Sequence, residues 1–134
     1  MSAERPTHPP VPASPPPAGY SHVVASPPGG RTVWTSGQVA LDADGHAPHP
    51  GDWEGQTQLV FEHLGRALAA AGAGWGDVVK LTYFVVDTSA LTTVRAVRDR
   101  FVDVAAPPAS SLVQVAGLFR DDLLIEVEAV AWVA

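Results

Sequence analysis

Pro108 to Trp132 read PASSLVQVAGLFRDDLLIEVEAVAW, two apolar runs rich in Val, Leu and Ile that meet at Phe119-Arg120-Asp121-Asp122. Each run is well short of the ~20 residues a membrane helix needs, and the polar break is the bend of a hairpin, so two antiparallel strands are predicted. In the second run a period of two puts Leu123, Ile125, Val127, Ala129 and Ala131 on one face. That face is wholly apolar and suits a core. Leu124, Glu126, Glu128, Val130 and Trp132 fall on the other, where two carboxylates sit among large apolar side chains. A sheet face open to water does not require that mixture, so a subunit contact or a ligand pocket is expected there.

Composition bounds what such a sheet can do. The chain has 134 residues, enough for one domain with an ordinary core, and no cysteine, which excludes disulfides, thiol nucleophiles and thiolate metal sites. Its net charge is -6 with a single lysine, and the arginines are scattered, a balance that opposes binding to nucleic-acid phosphates. The start of the chain carries no apolar signal-peptide core, and no apolar run reaches membrane length. A soluble, cytoplasmic protein without membrane contact is expected.

Residues 1–18, MSAERPTHPPVPASPPPA, are so rich in proline that neither helix nor ladder is predicted, and a disordered tail is expected ahead of a domain spanning 19–134. His22 to Ser26 (HVVAS) reads as a strand, Pro27-Pro28-Gly29-Gly30 as a turn, and Arg31 to Val39 as a second strand. Gly37, inside that second strand, marks a bulge or a close approach to the backbone. His46 and His49 lie in the loop 41–51 without a third ligand or a rigid frame, so a solvated loop is expected and no metal site.

Trp53 to Gly72 is the clearest helix: Trp53, Gln56, Val60, Leu64, Ala67, Leu68 and Ala71 recur at three and four spacing behind an Asp52 N-cap, with glycines at 72 and 74 to end it. His63 neighbours that stripe as a boundary residue. Asp77 to Asp87 reads as a strand covered on both sides. Leu91, Val94, Val97, Phe101 and Val104 mark a second helix, capped by Thr88 or Ser89, whose Arg95, Arg98 and Arg100 form a solvated face. The order is β-β-α-β-α-β-β, an α+β sheet with two helices on one face. The other face is too apolar to stay wet, and a cyclic homo-oligomer would bury it, leaving pockets between subunits.

Gly19-Tyr20-Ser21, Trp34-Thr35-Ser36-Gly37-Gln38-Val39, Ala69-Ala70-Ala71-Gly72, Asp77-Val78-Val79-Lys80-Leu81-Thr82 with Val85-Val86-Asp87, Pro108-Ala109-Ser110-Ser111 and Ile125-Glu126-Val127-Glu128-Ala129 occur in that order. In these pieces the chain from about Gly19 to Trp132 resembles the RidA family, also called the YjgF or reactive-intermediate-deaminase family. The resemblance implies a chorismate-mutase-like fold, a homotrimer around a central barrel and three ligand clefts at subunit interfaces. It also implies hydrolysis of enamines and imines to 2-keto acids and ammonia; the sequence itself carries no sign of a metal or organic cofactor, and none is expected.

In family members of the deaminase type an arginine directly after the Pro-Ala pair grips the substrate carboxylate as a bidentate fork. Ser110 stands there in this chain and carries no charge. The resemblance assigns catalytic positions to Glu126, which would position and deprotonate the attacking water, to Tyr20, which would cover the site, and to Ser36 in the cleft wall. Gly37, Ser110, Gln114 and Arg95 are the expected substrate-binding positions; Arg95 is the first candidate to replace the missing guanidinium, and Arg120 the second. Two functions follow: a deaminase-type hydrolase whose substrate is altered by Ser110, or a relative without that activity that binds a small metabolite or a protein partner.

Overall fold

The alternation of the last apolar run is the axis of the sheet. In the computed structural model, which describes residues 5–134, strand β5 (Ile125–Val133) lies between β3 (Val78–Val85) on one edge and β1 (Arg31–Trp34) with β2 (Gln38–Val39) on the other. Strand β4 (Ala109–Gln114) forms the far edge beyond β3, and helices α1 (Trp53–Ala70) and α2 (Leu91–Arg98) complete the expected β-β-α-β-α-β-β order. Ile125, Val127, Ala129 and Ala131 of β5 and Leu81, Tyr83 and Val85 of β3 are buried in one core with Val60, Phe61, Leu64 and Leu68 of α1 and Val94 and Val97 of α2. Both helices therefore cover one face. Among the described residues no helix is long and apolar enough to cross a membrane.

Pairing within 108–132 differs from the hairpin expected of it. β4 runs parallel to β3, with Ser110 opposite Leu81, while β5 runs antiparallel along the other edge of β3, with Val127 opposite Tyr83. The cause is the helix before β4: α2 carries the chain back to the start of the sheet, and a strand entered after such a crossover lies parallel to the one before it. The polar break then crosses the end of β3, where Val115 N–H donates to Val85 O at 2.8 Å and Val86 N–H donates to Leu124 O at 3.1 Å.

His22 to Ser26 is likewise no strand of the sheet. Pro27-Pro28-Gly29-Gly30 does not reverse one strand into the next; it docks on the end of β5, where Trp132 Nε1 donates to Gly29 O at 3.0 Å. Gly30 takes φ +68, and a Cβ there would strike Trp132 and the Val133 carbonyl. Residues 5–18 form no helix or strand of the sheet, but Thr7 and Ala25 exchange two backbone hydrogen bonds at 2.8 and 2.9 Å. Gly37 falls in a bulge: Trp34 faces Val130 and Gln38 faces Val127, so three residues oppose two.

Capping explains where the helices start and stop. Asp52 Oδ1 accepts the Gly55 N–H at 3.0 Å, and Ala73 N–H returns to Leu68 O at 2.9 Å around Gly72, whose φ of +74 permits the turn. Asp87, rather than Thr88 or Ser89, accepts the Ser89 N–H at 2.8 Å ahead of α2. α2 ends at Arg98, shorter than its apolar spacing suggested; Phe101 still stacks on Phe61 at 5.3 Å, whereas Val104 is exposed. Gln56, fully buried, donates to His49 O and Asp122 O and accepts the Leu124 N–H, tying α1 to the start of β5.

Candidate functional site

Register sorts the expected site residues onto two faces. On β5, Glu126 lies opposite Phe84 and Val39, and Glu128 opposite Thr82, all on the side away from the helices. On β4, Ser110 lies opposite Leu81 and Leu112 opposite Tyr83, on the helix side. Glu126 and Ser110 are thus in separate places within one chain.

The first place is the bulge on the bare face. Gly37 backs directly onto the Glu126 side chain, and a Cβ at 37 would collide with its carboxylate. The missing side chain is what lets that carboxylate lie against the backbone. Ser36 precedes Gly37 in the bulge and is exposed. A half-buried carboxylate lying against the backbone of Gly37 can hold and deprotonate a water.

The second place is a cleft of about 170 Å³ between α2 and the β4 edge. Its opening is set by the N-terminal segment: Ser21 N–H donates to Pro108 O at 2.9 Å and Ser21 Oγ to Pro107 O at 2.5 Å, which clamps residues 19–21 to the start of β4. Tyr20 consequently lines the cleft, with Ser110 and Leu112 from β4. α2 adds Leu91, Val94, Arg95 and Arg98, and β3 adds Tyr83. Arg95 is exposed, at the rim.

Two expected participants are occupied elsewhere. Gln114 Oε1 accepts the Thr88 N–H at 2.9 Å, which fixes the approach to α2 rather than presenting an amide to the cleft. Arg120 grips Asp122 through Nε at 3.0 Å and Nη2 at 2.6 Å and donates to Gly45 O, and that pairing holds the Asp122 carboxyl below the usual aspartate range. His63 bridges Leu41 O and Arg66 on the surface of α1. Asp42, Asp44 and His46 cluster in the exposed loop because Asp42 Oδ1 accepts the N–H groups of Asp44 and His46.

Sequence reasoning passed over Arg98 and Tyr83. Arg98 was expected in solvent, yet it is buried, its side chain only 11% exposed, with Nε donating to Asp99 Oδ1 at 3.0 Å. Its signal was spacing: positions 91, 94 and 98 share one helical face. Tyr83 is 3% exposed, its hydroxyl has no hydrogen-bond partner among the described residues, and burial pushes its phenol far above the ordinary 10.0 while the Arg98 charge pulls the other way.

The sequence and the fold both have relatives among known proteins. The family described as endoribonuclease L-PSP matches residues 12–133. A 2-iminobutanoate/2-iminopropanoate deaminase of Salmonella typhimurium is 38% identical over 104 residues, 76% of this chain and 80% of that protein. The crystal structure of YyfB, a conserved Rid protein of Yersinia pestis, superposes with a TM-score of 0.88 at 35% identity, covering 96% of this chain and 99% of the other. E. coli TdcF with bound serine superposes with a TM-score of 0.70 at 33% identity, covering 92% and 93%. By the extent of these matches and by the fold that carries them, the chain belongs to the RidA (YjgF) family.

Proposed function

We propose that the protein hydrolyses small imines or enamines in clefts shared between copies of itself, assembled as a homotrimer around a barrel of sheets. One observation carries this reading: Glu126 and the α2/β4 cleft lie on opposite faces of the sheet, so a single chain cannot present the carboxylate to the cleft. β4 is a sheet edge whose outer side is bridged by Ser21 at Ala109 and is without a partner strand beyond that among the described residues. A second copy meeting that edge with its own bare face would bring its Glu126 and Gly37 to the first copy's Tyr20 and Ser110. Likeness to a 2-iminobutanoate/2-iminopropanoate deaminase supports the reaction class, and likeness to TdcF with bound serine supports a small-molecule site.

In the reaction, water adds to the carbon of the C=N bond while Glu126 takes one of its protons. That proton passes to nitrogen to give a carbinolamine, the remaining hydroxyl proton then moves to nitrogen as the C–N bond breaks, and ammonia and a ketone leave; atoms and charge balance without a cofactor. Tyr20 covers the cleft, and Ser36 and Ser110 offer hydroxyls to a polar ligand. An RNA-cleaving role is disfavoured by the net charge of -6 and by arginines already tied to Asp99, Glu54 and Asp122.

2-Aminoacrylate generated in situ tests the proposal, with keto-acid release followed above the spontaneous rate. Wild type is expected to accelerate release, and Glu126→Gln to lower it about 100-fold or more. Release unaltered by Glu126→Gln overturns the assignment. Ser110, where deaminase-type relatives would place a charge, favours the second reading, a metabolite-binding relative: no release by wild type but a gain in Ser110→Arg would establish it.

A further inference from the structure

Seven arginines and fourteen acids are distributed over this chain, yet the α2/β4 cleft is lined by two arginines and by no carboxylate. One of them, Arg98, is buried at the cleft floor, where solvent contributes little screening. Gly19, at φ +74, lies so close over its guanidinium that a Cβ would collide with it, so the side chain is held from above by the clamped 19–21 segment. Asp99 Oδ1 engages Nε and Nη2, both at 3.0 Å. Of five N–H donors, the remaining three have no partner among the described residues.

Tyr83 of β3, which also lines the cleft, adds a second donor. Its buried hydroxyl has no partner among the described residues, a condition native proteins rarely leave without a water or a ligand. The Ser110 hydroxyl borders the same space. Asp99 takes one edge of the Arg98 guanidinium from outside the lining, and the donors that remain, in a pocket lined by no carboxylate, are complementary to an oxyanion. Leu91, Val94 and Leu112 supply apolar walls, and a volume of about 170 Å³ admits a ligand of roughly benzene size.

We infer that Arg98, with Tyr83, is the anion-holding pair of this protein, presented from α2 and β3 in place of a charge on β4, and that it takes a small carboxylate with a short aliphatic chain. This inference rests on the proposed cleft and names the substrate group that the cleft holds. Ser110 then has a positive reason: a short side chain on β4 leaves open the space across which Arg98 and Tyr83 reach one ligand.

The test is calorimetric titration of the full chain with 2-oxobutanoate and with its uncharged amide, 2-oxobutanamide. Wild type is expected to bind the acid about tenfold or more tightly than the amide, a comparison that needs no variant to fold. Arg98→Met is expected to raise Kd for the acid about tenfold or more, and Tyr83→Phe about threefold. Arg100→Met, which removes the same charge from an exposed position paired with Glu54, is expected to leave Kd within about twofold. Equal binding of acid and amide, no binding of either, or an unchanged Kd in a folded Arg98→Met overturns the inference. Keto-acid release separates it from the proposed reaction: release with an unchanged KM in Arg98→Met removes the anchor and keeps the hydrolase. Arg98-dependent binding with no release by wild type keeps the anchor and removes the hydrolase.

Discussion

The two faces of one sheet are finished in different ways, although the same strands make both. On the helix side, Leu81, Tyr83 and Val85 meet Ile125, Val127 and Ala129 under α1 and α2, and the chain closes that side itself. On the other side Phe84, Val130, Glu126 and Glu128 are half-buried, Trp34 remains 75% exposed and Val113 46%. Ile125, Val127, Ala129 and Ala131 of β5 are spent on folding, whereas Glu126, Glu128 and Val130 are left for what the fold is used for; Trp132, on the same face, is covered by the 27–30 turn. An apolar surface containing an exposed tryptophan and two carboxylates is costly as a water-facing surface and well suited to a shared one.

A charge placed on each face breaks this comparison most sharply. Val127→Asp buries an unpaired carboxylate among α1 and β3 side chains and is expected to cost more than about 4 kcal/mol, abolishing a cooperative urea transition. Val130→Asp, opposite Trp34 and Lys80, is expected to keep the fold, by far-UV circular dichroism, while sedimentation reports loss of the assembled form. An assembled Val130→Asp protein would mean that copies do not meet on this face.

Next in size is Gln56, which holds the helix side by polar means. Gln56→Leu keeps most of the volume but strands the Leu124 N–H and the His49 and Asp122 carbonyls, for an expected loss of about 2–4 kcal/mol in chemical denaturation. Gly37→Ala makes the converse change on the bare face. The atoms nearest the new methyl are Oε2, Cδ and Cγ of the flexible Glu126 side chain, which can swing away, so stability is expected to fall by less than about 1 kcal/mol. Keto-acid release is expected to fall about tenfold or more, because the carboxylate is what must move. A stability loss without an activity loss would detach Glu126 from the reaction.

What the sequence revealed follows from which interactions are local. The Asp52 cap, the stripe of α1 and the alternation of β5 depend on neighbours within a few residues, and each appears in the structure where the pattern put it. The partner of β4 is decided by a crossover through α2, and a polar break such as Phe119-Arg120-Asp121-Asp122 has the same composition whether it closes a hairpin or spans a neighbouring strand. HVVAS has the β-branched content of a strand, but its Ala25 pairs with Thr7, far along the chain, rather than with a strand of the sheet. Among the site residues, Tyr20, Ser110 and Arg95 do meet at one cleft, while Glu126 and Gly37 meet on the opposite face of the sheet, with Ser36 next in sequence. Arg98 was hidden by its type: a guanidinium counts as surface in any polarity pattern, and only the exact face of α2 and the Gly19 contact put it inside.

The smallest expected effect separates packing from charge. The apolar core of the helix side has no titrating group apart from Tyr83, so its contribution is constant in acid, whereas Asp122, held by Arg120, has its carboxyl below the ordinary 3.8. Asp42 and Asp87 shift in the same direction, because the His46 and Ser89 backbone N–H groups respectively donate to them. A carboxyl lowered in the folded state contributes stability that is complete above its unfolded value and is lost as pH falls through that value toward the folded one. The urea midpoint is therefore expected to be flat above about pH 5 and to decline as pH drops below about 4. Arg120→Met, by releasing Asp122, is expected to shallow that decline while leaving the parts due to Asp42 and Asp87. An identical decline in wild type and Arg120→Met would place the acid sensitivity elsewhere, with the carboxylates of the bare face the next to be tested.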